Sequence, residues 1–212
     1  MRFSSTLIPG TLARRYKRFL ADVVLESGEM ATVHVANPGA MTGLDRPFSR
    51  VWLSGSDNPL RKLPLTWELV ETDLGKIGLL ICFDGRIPEI FRSMAMQGAE
   101  VIVDMANFFA MDQADMWGPA RSYENGMWLV AATKAGYERS IYYPGGSMLV
   151  DAKGRVVAKM PYERHGVIVA DVGPELAHDK SIYAGNDKFA DRRPATYGIL
   201  VENYQDTPVA AT

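Results

Sequence analysis

Two patterns of apolar and polar positions follow one another along the chain. Up to about residue 72 the apolar stretches are short and separated by turn residues: FLADVVLE (19–26) and ATVHVA (31–36) are joined by Ser27-Gly28-Glu29, and RVWLSGS (50–56) lies between Pro47 and Asp57-Asn58-Pro59. Alternation bounded by such residues predicts short strands. Beyond residue 72 the pattern becomes strand, turn and helix. KIGLLIC (76–82) predicts a buried strand and FDGR a turn; PEIFRSMAMQG (88–98) predicts a helix with proline in its first position, closed by Gly98. AEVIVDMA (99–106) is a second buried strand, and GPARSYENG (118–126) is a helix that leads into the strand WLVAATKAG (128–136). GSMLVDAKGRVVAKM (146–160) is a hairpin that turns at Asp151–Gly154, followed by the apolar segment HGVIVADV (165–172). The change of pattern sets a boundary near Glu71–Lys76, giving an N-terminal unit over 1–72 and an α/β unit over 73–212. Only the terminal TPVAAT reads as frayed.

Several short strands within 72 residues fit a small five-stranded barrel of the oligonucleotide-binding (OB) kind. The chain has 212 residues, of which 47% are hydrophobic and 23% charged, a balance that excludes collagen-like, coiled-coil and disordered classes. The formal net charge is -2, so the protein as a whole is not a polyanion binder. Residues 1–72 nevertheless carry 9 Lys and Arg against 7 Asp and Glu, which leaves the acidic excess to the second unit. No apolar run reaches the roughly 18 residues that span a bilayer, which predicts a soluble cytoplasmic protein with no membrane partner. A single cysteine, Cys82, excludes an internal disulfide and a cysteine-rich zinc site. His34, His165 and His178 show no metal-ligand spacing, and each reads as a surface residue; no metal is expected.

Cys82 ends an apolar strand and precedes a turn and a helix. A sulfur at the carboxyl end of a strand, beside a helix amino end, is in a position that gathers ligands and favours the thiolate. Position alone leaves two readings open, a nucleophile or a small buried apolar side chain. The surrounding residues add a resemblance. GKIGLLICFDGRIPEIFR, then GAEVIV, ARSYENGMWLVAATKAG with Arg121, Glu124 and Asn125 in an Arg-x-x-Glu-Asn pattern, GGSMLVDAKGRVVA, and DRRPATYGIL with Arg192-Arg193-Pro194 together resemble the nitrilase superfamily of carbon-nitrogen hydrolases over about 73–200. The resemblance implies a Glu-Lys-Cys triad in which Cys82 attacks an amide, carbamoyl or nitrile carbon and forms a thioester, without cofactor. It gives the Phe83 N–H the oxyanion, and Glu89, Glu124 and Asn125 supporting roles.

The first unit resembles a different family. GTLARRYKRFLADVVLESGEMATVHVANPGAMTGL and SRVWLSGSDNPLRKLPLTWELVE are similar to the N-terminal part of the sugar fermentation stimulation proteins over about 3–71. That resemblance implies an OB-like barrel credited with DNA binding. Asn37-Pro38-Gly39-Ala40-Met41 stands where that family has Asn-Thr-Gly-Ser-Met, so two hydroxyls are lost. Arg14, Arg15, Lys17 and Arg18 flank Tyr16 and precede Phe19, which makes them candidate DNA contacts; a solvated basic edge is the alternative.

Together the two resemblances imply an α+β chimera, a small OB-like barrel joined to a truncated nitrilase-type αββα sandwich. The family places its catalytic glutamate and lysine in the half that is replaced here, and neither is found in the sequence. Lys62 belongs to the barrel signature, while Glu68 and Glu71 fall on the segment leading into the cysteine strand, from which a side chain does not fold back onto the strand end. The expectation is a hydrolase homologue of weak or no activity, with a DNA-binding protein or a non-functional fusion as alternatives. The uncovered sheet face predicts a homo-oligomer.

Overall fold

A computed structural model of the chain describes residues 6–202, apart from 37–40, 42 and 57. The stretch Asn37–Ala40 and the terminal TPVAAT lie outside the described residues. Strands β1 (Ile8–Tyr16), β2 (Leu20–Leu25), β3 (Met30–Val35), β4 (Arg50–Gly55) and β5 (Leu65–Thr72) come first. β1 pairs antiparallel with β2 and with β4, β2 pairs antiparallel with β3, β3 runs parallel to β5, and β5 pairs antiparallel with β4. Each strand thus has two neighbours, and the pairings close into a ring whose interior holds the fully buried Leu12, Val23, Val33, Val51 and Leu53. Lys17 and Arg18 both take left-handed φ values, 49° and 62°, which is the backbone twist that a tight β1–β2 hairpin turn requires.

β5 does not stop at the ring. Thr72 and Gly75 close a tight turn, and β6 (Gly75–Ile81) returns antiparallel along β5, with Leu69 opposite Gly78. A short 3-10 turn (Cys82–Arg86) and helix α1 (Pro88–Met96) follow, then β7 (Val101–Ala106) parallel to β6. A π-helical turn (Gln113–Trp117) runs into α2 (Gly118–Asn125) and then β8 (Trp128–Thr133), parallel to β7. The strand expected over 128–136 breaks at Lys134 into β8 and β9 (Ala135–Glu138), which pairs with β10 (Ile141–Pro144). β11 (Met148–Val150) and β12 (Val156–Lys159) form the expected hairpin beside β8, and β13 (Ser181–Tyr183) with β14 (Asn186–Asp187) closes the list of strands. The main sheet has the order β12-β11-β8-β7-β6-β5-β3-β2-β1-β4.

Alternation along β6–β8 sends residues to two different cores. On one face Leu80, Ile102, Leu129 and Met148 pack against Ile90, Phe91 and Met94 of α1. On the other, Ile77, Leu79, Val101 and Trp128 join the core that also holds Leu12, Val23, Leu53 and Trp67 of the ring. The C-terminal segment adds Val172, Leu176 and Ala177 there, and Trp128 Nε1 donates to the Gly173 carbonyl at 2.8 Å. The helix-covered half of a sandwich is present; ring residues and the C-terminal segment pack on the face where a second sheet would lie. HGVIVADV forms no strand. Val167 and Val169 stand 87% and 86% exposed, because no neighbouring strand edge is there to pair with them.

Since β5 is hydrogen-bonded into both parts, chemical unfolding followed by far-UV circular dichroism and by tryptophan fluorescence is expected to give one coincident transition. Phe91→Ala, which empties a fully buried position in the α1 core, is expected to lower the stability by about 3–5 kcal/mol in the same measurement. Two separated transitions would show that the ring and the α/β part unfold independently.

Candidate active site

The end of β6 is where the chain changes direction. Ile81 is still extended, with φ -131°, whereas Cys82 adopts φ 52°, a left-handed conformation that a residue bearing a Cβ takes only when its surroundings hold it there. The restraint is visible. Cys82 N–H donates to Asp104 Oδ1 on the adjacent strand β7 at 2.9 Å, and Ile81 N–H donates to Asp84 Oδ2 at 3.3 Å. Gly85 completes the turn by letting it press against its neighbours, since a Cβ there would come within 2.8 Å of Asp104 Oδ2 and of the Trp117 ring. Arg86 anchors the far end through two hydrogen bonds to the Asp112 carboxylate, at 3.0 and 3.2 Å.

The Cys82 side chain is part-buried beside Ala106, Phe108 and Trp117. Phe108 and Trp117 meet edge to face, 5.5 Å between centroids, and wall the thiol on one side. Sγ lies 3.8 Å from the Asn107 carbonyl oxygen. Phe83 follows in the first turn of the 3-10 segment, where N–H groups lack an intrahelical acceptor, and its ring is exposed.

The other expected site residues are not gathered around the sulfur. Glu89 is exposed at the start of α1, and Glu124 pairs with Arg121 at 3.0 Å; both line a cavity between α1 and the ring that does not include Cys82 among its walls. Asn125 is fully buried and donates to the Arg121 carbonyl at 2.9 Å, which fastens the end of α2. Lys62 is exposed. Of the four candidate DNA contacts, Arg14 is held by Asp22 at 2.8 Å and lies over the Tyr16 ring, and Arg15 donates to the Arg18 carbonyl; Lys17 and Arg18 are exposed at the hairpin tip.

Three titratable residues that the sequence did not assign to the site stand out. Glu68 lies on β5, which forms a hairpin with β6 rather than one run with it, and stands one residue before the β5–β6 pairing begins at Leu69. It accepts a hydrogen bond from Ser54 Oγ at 2.6 Å, yet burial, reinforced by the Asp84 charge, pushes its carboxyl up to about 7. Asp104 is the second such group: fully buried, with only the Cys82 N–H on one oxygen and no partner on the other, it too is pushed up to about 7 by burial. An aspartate inside the apolar run AEVIVDMA is the signal that could have found it. His34, expected at the surface, is half-buried at the end of β3, and burial together with the nearby Arg61 charge lowers its imidazole below the usual range. Among the described residues no group of histidine, cysteine and carboxylate side chains is arranged to hold a metal ion, and no helix is long and apolar enough to cross a membrane.

A strained cysteine at the carboxyl end of a parallel strand, with helices on one face of the sheet, defines a nitrilase-type α/β fold. Solved structures similar to it agree. A carbon-nitrogen hydrolase from Helicobacter pylori G27 superposes with a TM-score of 0.57 at 23% identity, covering 94% of this chain and 72% of that one. An amidase from Nesterenkonia sp. gives 0.54 at 22% identity, covering 86% and 60%. The sequence model described as carbon-nitrogen hydrolase matches residues 12–179, and the chain belongs to that family. It is also similar to curated sugar fermentation stimulation protein homologues, 60% identical over 87 residues to that of Rhodospirillum centenum and 46% over 120 residues to that of Maricaulis maris. The chain spans 37% and 48% of the length of these two relatives. A chain that aligns with both families, each over a part, has the character of a chimera.

The raised carboxyls have a consequence for stability. A carboxyl whose folded pKa lies above its unfolded value binds more protons in the native state, so its contribution is complete below the unfolded value and is lost as pH rises through the folded one. For Glu68 and Asp104 the window runs from about pH 4 to about pH 7. Thermal stability is expected to fall across that window, and less steeply in Asp104→Asn and Glu68→Gln; equal slopes in parent and variants would contradict it.

Proposed function

We propose that this chain is a thiol-dependent carbon-nitrogen hydrolase homologue acting on small amide, carbamoyl or nitrile compounds, with Cys82 as nucleophile and low turnover. The observation that carries the reading is the left-handed Cys82 at the end of β6, held by Asp104. Strain of this kind is kept where a function requires the side chain to stand out from the sheet. With an amide or carbamoyl substrate the Cys82 sulfur adds to the carbonyl carbon, the developing oxyanion is met by the Phe83 N–H, the amine leaves with the proton that the thiol gave up, and water then hydrolyses the thioester; a nitrile first forms a thioimidate, which water converts to the same thioester with release of ammonia. Glu124 and Asn125 act indirectly, Glu124 by pairing with Arg121, which donates to the Arg86 carbonyl of the turn, and Asn125 by fastening the end of α2; Glu89, exposed at the start of α1, keeps the supporting role that the resemblance gives it. Low turnover follows from the absence in the sequence of the glutamate and lysine that the family resemblance calls for. Loss of members of a cooperating set costs several orders of magnitude. No metal or organic cofactor enters this scheme.

The test is chemical. Iodoacetamide is expected to alkylate Cys82 faster than free cysteine at neutral pH, and ammonia release from a short aliphatic amide is expected to be slow but abolished in Cys82→Ala. Alkylation no faster than the free amino acid, together with equal ammonia release from parent and variant, would overturn the reading.

A second reading places DNA on the ring, taken as an OB-like barrel over 1–72, with residues 73–212 as scaffold. The exposed Lys17 and Arg18 beside Phe19, 45% exposed, favour it. Each phosphate contact contributes a slope of about 0.7–0.9 in log affinity against log salt, so Lys17→Gln with Arg18→Gln is expected to lower the slope by about 1.5 in gel retardation of single-stranded DNA. Arg14→Gln is expected to matter less, because Asp22 already neutralises that guanidinium. The exposed Val167, Val169, Ile182 and Tyr183 support a homo-oligomer, read by sizing chromatography.

A further inference from the structure

A cavity of about 1130 Å³ opens where the ring meets α1 and the C-terminal segment. Residues from both parts of the chain form its walls: Ser54, Arg61 and Glu68 from the ring side, Arg92 from α1, and Arg192 and Tyr197 from the C-terminal segment. Cys82 is not among its walls, although Asp84 of the cysteine turn and Glu89 and Glu124 are.

Its charge is the informative feature. Among the described residues, Arg61, Arg92 and Arg192 have no carboxylate within 4.0 Å. Each is instead placed by neutral groups. Arg61 donates to Thr66 Oγ1 at 2.9 Å, Arg92 to the Glu124 carbonyl at 2.8 Å, and Arg192 to Met96 Sδ at 3.4 Å. Arg92 also stacks on Phe189 and Arg192 on Tyr197. Arg92 Nη1 is buried with no hydrogen-bond acceptor, which leaves one donor of a fixed guanidinium fork unused. Burial lowers the Arg92 guanidinium below its usual range; the Glu124 charge opposes this and the Arg192 charge adds to it.

Four acidic side chains face the same cavity, and among the described residues none forms an ion pair with these three arginines. Glu124 is paired with Arg121, Asp84 accepts the Ile81 N–H, and Glu68 is bound to Ser54 in a setting that favours its neutral form. Glu89 is exposed at the first turn of α1, whose amino end itself adds partial positive charge. Guanidinium forks left without a carboxylate match the planar oxygens of carboxylate or phosphate groups.

We propose that this cavity is a binding site for a small organic anion. Its acidic group, a carboxylate or a phosphate, sits between Arg92 and Arg192, and its polar remainder reaches Arg61, Ser54 and Glu68. The site combines side chains from the two parts of the chain, so it exists only where the ring and the α/β part are joined.

Isothermal titration of the full chain with succinate, and separately with inorganic phosphate, tests the assignment. One saturable site is expected for at least one of them, and the tighter of the two identifies the acidic group. Arg192→Gln and Arg61→Gln are each expected to weaken binding about tenfold, the loss of a charge-assisted hydrogen bond. Arg50→Gln, whose guanidinium lies over Trp52 and pairs with Glu26 away from the cavity, is expected to bind as the parent does. Cys82→Ala is expected to bind unchanged as well, so a failed hydrolase reading leaves this result standing. Absence of saturable heat with both anions up to about 10 mM, or undiminished binding in Arg192→Gln, would overturn the proposal.

Discussion

Strand β5 uses both of its edges, and one edge serves two partners in succession. Along one side it carries β4 over nearly its whole length; along the other it pairs first with β3, at Thr66 and Trp67, and then with β6, from Leu69 to Thr72. The ring closes only because β3 takes the first part of that edge, and the α/β sheet begins only because β3 then leaves it and β6 takes it up. Backbone donors and acceptors buried in a sheet must be paired, so the handover has to occur without a gap, and Glu68 stands at the residue between the two partners. Everything beyond β6 inherits its orientation from this one strand: the turn at Cys82, the crossover through α1, and the cavity against the ring.

The second constraint is polar and lies under the turn. Asp104 is a carboxylate inside an apolar strand, and its one hydrogen bond goes to the backbone of the strained cysteine. Its other oxygen, the Trp117 Nε1 and both amide atoms of Gln113 are buried without partners. Such a set is costly in a packed interior and is kept by a fold that cannot rearrange the groups without releasing the turn. The elbow is therefore held by an interaction that carries its own penalty, in contrast to the apolar cores on the two faces of the sheet, where packing alone suffices.

Most elements could be read from periodicity, because they follow from local pattern. Pro88 and Gly98 bracketed α1, the turn at Asp151–Gly154 set the β11–β12 hairpin, and LLIC ended β6 beside a turn. Other elements depend on contacts that are not local, and β1 and β5 were not singled out from the pattern. WLVAATKAG splits at Lys134 because β9 turns away to pair with β10, and HGVIVADV stays unpaired because a strand needs a neighbouring edge as well as alternating residues. The tight turn at Thr72–Gly75, which lays β5 and β6 side by side, was not read from the pattern either; it leaves Glu68 on β5, lining the cavity whose walls do not include Cys82.

Local sequence alone settled that Cys82 stands at the carboxyl end of a strand, that a helix follows it, and that the chain changes character near residue 72, since these depend on neighbours a few positions apart. Which carboxyls are driven toward neutrality, which arginines remain without a counterion and where the cavity opens were decided by tertiary structure. Desolvation and charge proximity depend on distances between residues far apart in the chain: 22 positions separate Cys82 from Asp104, and 100 separate Arg92 from Arg192.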